Sequence, residues 1–389
     1  MKSKIIYLII YIGITLAFSA CSDNIDFPDE PDTYENIAIV YWMGDNSLSG
    51  AAVRDIKELV QGKDKIPTNS KIIIYADTAS AFPVIYQLDA KNGLKVWKKY
   101  TKEEDCTDSL TLLNNLKTIV KNFPAKNYGL TFGAHGTGWS WRQRRALGPD
   151  DNDRSADKWL NVPTLRGVLQ ELPHFKYIFF DVCFMQSIEV AYELRNVTDW
   201  VVGSPAEIPG PGAPYNLITD ALCEGDAYGI VEGYDSYYPN NRYKGVVLSA
   251  VNCNELENFT ATTSTYIKTF FADRHTVSST VAQNIQKYSS EFSSFTYCYD
   301  MNSIMPYILS DEEYQQWVEA FDKAVPLRKA SSGKWTTSGH CNNPYIYDSE
   351  HFGGISMYIP QEGADGNAKN NELKHYQWYK DAGWNETGW

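Results

Sequence analysis

The sequence lacks an excess of basic residues and the cysteine spacings that mark metal sites. Its 389 residues include 35 Lys and Arg against 48 Asp and Glu, a formal net charge of −13. This acidic balance argues against a nucleic-acid-binding protein, since nucleic acids attract basic surfaces. The seven cysteines form no Cys-x-x-Cys pair, and no His and Cys residues follow the spacing of zinc ligands. We therefore expect no zinc site, no disulfide framework and at least one free thiol.

The apolar run near the N-terminus is too short to cross a bilayer comfortably. It covers residues 5–16, follows two lysines, and is joined to Cys21 by small residues. This order resembles a bacterial lipoprotein signal, in which Cys21 becomes the lipidated first residue of the mature chain. Residues 1–20 are therefore predicted to be a signal peptide. An ordinary secretory signal cut near Ala20 is the alternative.

Residues 21–35 are rich in acidic residues and proline, and we predict that they form a tether. An acidic run after a lipidated cysteine resembles the surface-export signal of Bacteroidetes-type lipoproteins, and a plain solvated tether is the alternative. Lipid on Cys21 would hold the protein on a membrane, with the folded domain held away from it by the tether. The sequence thus predicts a lipid-anchored protein of the cell envelope, in the outer membrane, with surface exposure as an option.

Apolar, β-branched runs alternate with helical patterns along the rest of the chain. Such runs are typical of buried parallel strands joined by helices. They predict an α/β fold with a mostly parallel central sheet and helices on both faces. Strands are expected at residues 36–44, 71–77, 128–133, 177–183, 200–203, 245–251 and 353–359, a hairpin at 84–100, and helices at 52–60, 108–123, 165–172, 186–194, 254–272, 310–325 and 372–380.

The chain divides by composition near residue 253. Residues 36–253 hold most of the predicted strands and are expected to form the core of the domain. Residues 254–389 are rich in Tyr and Trp, and we expect them to complete the sheet and to add a helical accessory region. Aromatic residues in such a region more often pack a core than bind a ligand.

A cysteine and a histidine each lie at the end of an apolar run. Cys183 ends the run at 177–183, and His135 follows the run at 128–133. Alone, each fits a structural role, Cys183 as a small buried residue and His135 as a hydrogen-bonded strand end. Because the carboxyl ends of parallel strands meet in one crevice, we expect the imidazole to lie where it can activate the thiol. The helix after Cys183 is expected to favour the thiolate.

The order of these motifs resembles the clostripain family of cysteine peptidases, within the wider caspase, legumain and gingipain group. The matching stretches are Gly44-Asp45-Asn46-Ser47-Leu48, His135-Gly136-Thr137-Gly138-Trp139, Gly148-Pro149-Asp150-Asp151, Asp181-Val182-Cys183-Phe184-Met185 and Gly354-Ile355-Ser356-Met357-Tyr358-Ile359-Pro360. The resemblance implies a caspase-like α/β/α sandwich over residues 36–389. It also implies hydrolysis of protein or peptide substrates without a required cofactor, in a monomer or a cleaved two-chain monomer.

The resemblance assigns chemical roles to three residues. Cys183 would attack the scissile carbonyl and form an acyl-enzyme, and His135 would act as general acid and base. The backbone N–H groups of Gly136 and Cys183 would form the oxyanion hole. It assigns no third residue that orients the histidine.

Family members commonly cleave after Arg or Lys, and Asp181 matches the family acid two positions before the nucleophile. Strand periodicity would place Asp181 and Cys183 on one face, so that the carboxylate could pair with a basic substrate side chain. A role limited to bracing neighbouring loops is the alternative for Asp181. Glu207, which follows the run at 200–203, is a candidate second acid of the substrate pocket.

A basic segment, Arg142-Gln143-Arg144-Arg145-Ala146, lies in the connection between the histidine and the cysteine. In the family, activation cuts after a basic residue in this connection. We therefore expect a cut between Arg145 and Ala146, which the enzyme could make itself, with cuts after Arg142 or Arg144 as alternatives. A solvated loop that is never cleaved is the competing interpretation.

Calcium is a further option, since some relatives depend on it. Asp150, Asp151 and Asp153 offer carboxylates within four residues, but their spacing is not that of an EF-hand loop. A plain acidic turn is the alternative.

Two other functions stay open. The first is the same enzyme class with a different preference for the residue before the cut. The second is a non-catalytic surface lipoprotein of the same fold, which would bind a partner through its aromatic C-terminal half.

Overall fold

A nine-stranded sheet forms the centre of the molecule, in a computed structural model that describes residues 33–139, 146–151, 159–238, 245–288, 298–330, 334–335, 345–346 and 351–389. Its strands are, in order across the sheet, β13 (Leu327–Ala330), β10 (Val247–Asn252), β9 (Thr198–Gly203), β8 (Phe175–Asp181), β5 (Ala125–Gly133), β1 (Tyr34–Gly44), β2 (Ser70–Thr78), β3 (Ala81–Asp89) and β4 (Gly93–Lys99). The central strands from β9 to β2 pair in parallel, and the edge strands pair antiparallel.

Helices cover both faces of this sheet. One face carries α1 (Ser49–Gln61), α5 (Tyr215–Glu224) and α6 (Ala227–Tyr237). The other carries α2 (Ser109–Asn122), α3 (Val162–Leu169), α4 (Ile188–Leu194), α7 (Leu256–Phe270), α8 (Ser279–Asn284), α9 (Met301–Ile304), α10 (Asp311–Ala324), α11 (Ala364–Leu373) and α12 (Gln377–Asp381). Alternate residues of β1 explain the two layers, because Ile39 and Tyr41 pack in one hydrophobic cluster and Val40 packs in the other. The predicted α/β class is confirmed.

Several short strands lie outside the main sheet. Two of them, β6 (His135–Gly136) and β7 (Leu147–Gly148), pair with each other, and so do β14 (Lys334–Trp335) and β15 (Tyr345–Ile346). A third small sheet contains β11 (Lys287–Tyr288), β12 (Cys298–Asp300) and β16 (Ser356–Tyr358). Residues 254–389 thus add β13 to the main sheet and several helices to one face. The division near residue 253 stays a prediction, and Thr33–Trp389 forms one compact unit.

The hairpin of β3 and β4 and the helix α10 confirm two local predictions. The strands of the hairpin pair from Val84 with Lys99 to Asp89 with Gly93. Helix α10 begins with a capping box, in which the side chains of Ser310 and Glu313 each accept a backbone N–H of the other residue. Among the residues that the structure describes, no helix has both the length and the apolar character needed to cross a membrane.

Several elements depart from the predicted bounds. Strand β8 ends at Asp181 instead of continuing to Cys183, and α4 begins only at Ile188, after the cap Ser187. The helix predicted at 372–380 is wrong, because the chain turns between α11 and α12. Leu48 is the N-cap of α1 and makes no side-chain hydrogen bond there, although Asn46 and Ser47 directly before it are the residue types that commonly cap helices. The Asn46 carboxamide instead accepts the N–H of Leu48, and the Ser47 hydroxyl contacts a histidine.

Candidate active site

His135 follows β5 in a short hairpin that fixes its backbone. It belongs to β6, where His135 pairs with Gly148 and Gly136 pairs with Leu147 of β7. The N–H of Thr137 extends this contact by donating to the Ala146 carbonyl over 3.3 Å. Burial lowers the pKa of His135 below its ordinary 6.5, and the nearby Asp151 carboxylate opposes this shift. The neutral imidazole is therefore the favoured form near neutral pH.

The imidazole has one hydrogen-bonding side chain beside it in the described part of the chain. Ser47 Oγ lies 2.8 Å from His135 Nε2. Ser47 belongs to the turn between β1 and α1, so two separate segments meet at this ring nitrogen. The contact occupies Nε2, and which of the two atoms donates depends on the tautomer of the imidazole.

Two glycines pack the His135 loop against the turn that carries Cys183. A Cβ added to Gly136 would lie 2.2 Å from Val182 Cγ1 and 2.9 Å from the Cys183 carbonyl oxygen. Gly138 has a φ of +77°, and a Cβ added to it would lie only 2.6 Å from the Phe184 carbonyl oxygen. Only glycine allows this approach. The structure thus brings together the two loops that the sequence predicted to converge.

Cys183 lies two residues beyond β8, on a turn rather than on the strand. Its Sγ accepts the N–H of Ile208 over 3.3 Å, and Phe184, the next residue, has an unusual φ of +63° for a side-chain-bearing residue. Burial raises the pKa of the thiol to about 12, and the Glu207 and Asp181 carboxylates raise it further, while the Ile208 N–H opposes them. The expected stabilisation of the thiolate by the helix is wrong, because α4 begins five residues later.

The segment after β9 forms the wall beside Cys183. The N–H of Phe184 donates to the Ala206 carbonyl over 2.9 Å, and the N–H of Gln186 donates to the Ser204 carbonyl over 3.0 Å. Glu207 follows directly, half-buried, with its charge acting on the thiol. Glu207 therefore lies near Cys183, and its role as a second acid of the substrate pocket stays a prediction.

Asp181 lies below this turn and is buried. Its carboxylate accepts the N–H of Ala213 at 3.0 and 3.1 Å and the hydroxyls of Tyr215 and Tyr234, each at 3.2 Å. Burial raises its pKa to about 6 despite these donors. Gly212, at φ +74°, passes so close that an added Cβ would lie 2.8 Å from Asp181 Oδ2. Asp181 thus braces the 209–213 loop, and because β8 ends at Asp181, strand periodicity does not relate it to Cys183.

A second buried carboxyl lies near Asp181. Asp55 of α1 is only 1% exposed, and neither of its carboxyl oxygens has a hydrogen-bond partner in the described part of the chain. Burial raises its pKa to about 9, with further contributions from the negative charges of Asp181 and Glu58. No sequence pattern indicated the burial of Asp55, because a single acid on a helix is usually solvated.

A third acidic group lies at the end of β2. Asp77, Cys106 and Asp150 bring their ligand atoms within 4.8 Å of one another, and all three are buried. Asp150 accepts the N–H of Cys106 over 2.8 Å. It is therefore a buried acceptor and not part of a solvated acidic turn, which was the alternative interpretation. The two carboxylates suit a hard cation, but the thiol does not suit calcium. The calcium prediction stays untested, and Asp153 lies outside the described residues.

The sequence model of the clostripain family matches residues 40–389, nearly the whole chain. The chain belongs to the clostripain family. This membership confirms the resemblance drawn from the motifs around His135 and Cys183, and it identifies the chain as a member of a family of cysteine peptidases.

Two solved structures and one protein sequence extend the likeness to this family. A secreted C11 cysteine protease from Bacteroides thetaiotaomicron, solved with an irreversible peptide inhibitor, is 28% identical with a TM-score of 0.78, covering 90% of this chain and 99% of that chain. An inactive zymogen C11 protease from Parabacteroides distasonis is 26% identical with a TM-score of 0.75 and the same coverages. Clostripain from Hathewaya histolytica is 26% identical over 228 residues, which is 49% of this chain and 43% of clostripain. The caspase-like sandwich is thus confirmed.

Some predicted residues of this clostripain-family chain lie outside the described part. They are the lipidation site Cys21 and the cleavage candidates Arg142, Arg144 and Arg145. Ala146, on the other side of the expected cut, is described. It is fully buried in the main hydrophobic cluster, and its carbonyl accepts the Thr137 N–H.

Proposed function

We propose that this clostripain-family protein is an endopeptidase in which Cys183 is the nucleophile and His135 the general acid and base. The observation that carries the proposal is the packing of Gly136 against Val182 and the Cys183 carbonyl, which joins the two loops at the carboxyl ends of β5 and β8. Cys183 and His135 are mostly buried, but each keeps part of its surface exposed to an incoming substrate.

The resting pair is a neutral thiol and a neutral imidazole, because the pKa of Cys183 is raised and that of His135 is lowered. As Sγ adds to the scissile carbonyl carbon, the thiol proton moves to His135. The imidazolium then gives this proton to the leaving amine as the C–N bond breaks. A water molecule, deprotonated by the neutral imidazole, finally adds to the thioester carbonyl. The C–S bond breaks, the acid product leaves, and the imidazolium returns its proton to Sγ.

The developing oxyanion needs N–H donors near the thiol, and we assign this role to Gly136 and Cys183. The N–H of Cys183 donates to no backbone or side-chain oxygen in the described part of the chain. This N–H acts on the Sγ of its own residue, where it opposes the rise in the thiol pKa, and a donor at the nucleophile can be directed at the charge that forms in the transition state.

For the substrate, we propose a preference for Arg or Lys before the cut. Glu207 flanks Cys183, and the charge of the buried Asp181 also acts on the thiol, so a cationic side chain would enter a negative environment. Asp181 already accepts three donors, so its contribution is a buried charge that also fixes the pocket wall. Glu207, which is half-exposed, is the better candidate for direct contact with the substrate.

Fluorogenic peptides that differ only in the residue before the cut test this proposal. We expect turnover of the Arg and Lys peptides, and none with Cys183→Ala. Glu207→Gln should lower kcat/KM for the Arg peptide more than for the Ala peptide, because only the Arg peptide loses an ion pair. Equal turnover of all peptides would indicate a different preference, and no turnover after limited trypsin treatment would favour the binding protein.

We also propose that the protein is lipid-anchored through Cys21 in the cell envelope and acts as a monomer or a cleaved two-chain monomer. The sequence before residue 33 supports the anchor. Metabolic labelling with an alkyne fatty acid tests it, since Cys21→Ser should abolish the label and release the protein from the membrane fraction.

A further inference from the structure

We propose that Ser47 is a positioning residue for His135: its hydroxyl accepts Nε2–H and thereby keeps the Nδ1 lone pair directed at Cys183. The proposal rests on the roles assigned above to His135 and Cys183. Ser47 would touch neither the substrate nor the reacting sulfur, and it would act only through the imidazole.

The contact is the first observation. The 2.8 Å between Ser47 Oγ and His135 Nε2 is a normal hydrogen-bond length, and the described part of the chain provides no other partner for the ring. General-base chemistry requires that one ring nitrogen carries no proton and faces the thiol. If Nε2 is the protonated nitrogen, Nδ1 has the free lone pair that can take the Cys183 proton.

The hydroxyl suits both states of the catalytic cycle. A serine oxygen can accept Nε2–H from the neutral imidazole and also from the imidazolium that forms when the thiol loses its proton. A carboxylate in the same place would stabilise the imidazolium much more strongly and would raise the pKa of the histidine. The neutral hydroxyl thus orients the ring while the pKa of His135 stays below 6.5.

The turn that carries Ser47 is held on both sides. Asn46 Nδ2 donates to the carbonyls of Met43 at 3.0 Å and Pro149 at 2.7 Å. Asn46 Oδ1 accepts the N–H of Leu48 at 2.8 Å, and the N–H of Asp151 donates to the Asp45 carbonyl at 2.9 Å. Ser47 is therefore presented by a fixed backbone although its own side chain is exposed. Preorganisation of this kind is what a positioning residue requires.

Three substitutions separate the hydroxyl from the shape of the side chain. Ser47→Ala removes the hydroxyl, Ser47→Thr keeps it with an added methyl group, and Ser47→Val has the shape of threonine without it. We expect kcat to fall about 10-fold or more in the Ala and Val variants, with KM nearly unchanged, and to be largely retained in the Thr variant. The acid limb of kcat/KM should move to lower pH by roughly half a unit, because the imidazolium loses its acceptor.

Two results would overturn the proposal. One is a wild-type kcat and acid limb in both Ser47→Ala and Ser47→Val. The other is an equal loss in Ser47→Thr and Ser47→Val, which would show that shape and not the hydroxyl matters. Nitrogen-15 NMR of histidine-labelled wild-type protein gives a test that needs no variant of Ser47. It should show His135 as the Nε2–H tautomer, and a dominant Nδ1–H tautomer would contradict the proposal.

His135→Ala separates this inference from the proposed function. If His135→Ala is inactive and the Ser47 variants behave as wild type, only the role of Ser47 fails. If His135→Ala keeps full activity, the proposed acid–base role of His135 fails, and the positioning role of Ser47 fails with it.

Discussion

At the scale of single residues, the charge state of the Cys183 and His135 pair decides how the peptidase would work. Burial disfavours both the Cys183 thiolate and the His135 imidazolium, so the thiolate forms only as the substrate is attacked. A helix N-terminus beside the sulfur would favour a resting thiolate, but α4 begins too far along the chain. The proton transfer to His135 therefore belongs to the chemical step.

We predict that the acid limb of the pH profile of kcat/KM lies below pH 6.5. His135 must be neutral to accept the thiol proton, and its pKa lies below 6.5, so activity should persist to a lower pH than an ordinary histidine would allow. Alkylation of Cys183 by iodoacetamide should be slow at pH 7 and should rise toward alkaline pH. A rapid alkylation that is already constant at pH 5 to 6 would instead indicate a thiolate–imidazolium pair.

The buried Asp55 predicts a second pH effect, on stability. Its pKa is raised to about 9 in the folded protein from about 4 in the unfolded chain. The protonated acid fits the fold, so its contribution is fully present below about pH 4 and is lost as the pH rises toward 9.

We predict that Asp55→Asn makes stability less dependent on pH. At pH 8 the variant should be more stable than wild type by about 1 kcal/mol or more, with a smaller difference at pH 5. Urea unfolding at the two pH values measures this. Asp64→Asn is the control, since the Asp64 side chain is 81% exposed. A loss of stability in Asp55→Asn at pH 8 would mean that the ionised carboxylate has a partner.

At the scale of elements, the short pair β6 and β7 positions the histidine. Gly136 lies where β6 contacts the Cys183 turn, and there is no space for a side chain. Its neighbours are the Val182 side chain and two backbone carbonyls, and backbone atoms cannot move away as a flexible side chain can. A methyl group here must separate the loops.

We predict that Gly136→Ala reduces kcat/KM by about 100-fold while the protein stays folded, because the His135 loop is displaced from the thiol. Gly167→Ala is the matched control. A Cβ on Gly167, inside α3, would meet no atom within 4 Å, so this change should leave activity unaltered and stabilise the helix by about 0.5 to 1 kcal/mol. Wild-type activity in Gly136→Ala would contradict the described packing.

A strand or helix was predictable when the residues that determine it are neighbours in the chain, and not when distant segments determine it. Strand β1 is buried on both faces and reads as a continuous apolar run, so its bounds were predictable almost to the residue. Helices α5 and α6 were not predicted, because glycines and acidic residues interrupt their apolar pattern. The approach of the His135 and Cys183 loops was predictable from strand ends and family motifs, and the catalytic roles of the two residues stay a proposal. The contact of Ser47 and the burial of Asp55 were not predictable, because both depend on which segments meet in the fold.

At the scale of the whole molecule, the expected activation cut lies directly before Ala146, where the described part of the chain resumes. Ala146 is buried and paired with the His135 hairpin, so the chain after the cut is part of the site. Residues 149 and 151 also contact the turn of Ser47. A cut before Ala146 would leave these contacts intact, and the two chains should stay associated.

We predict that purified wild-type protein contains two chains that separate only on denaturation, with a cut after Arg142, Arg144 or Arg145. Cys183→Ala should remain a single chain if the enzyme cuts itself. Intact mass spectrometry gives both the fraction cleaved and the bond. Identical processing of wild type and Cys183→Ala would exclude self-cleavage.

The central claim, that Cys183 is the nucleophile, is tested most directly by covalent labelling. A peptidyl acyloxymethyl ketone with Arg before the reactive carbon should add one equivalent to the protein, and peptide mapping should place it on Cys183. Labelling should be abolished in Cys183→Ala and slowed in His135→Ala. Turnover of peptides by Cys183→Ala, or an equivalent label on another cysteine, would contradict the account.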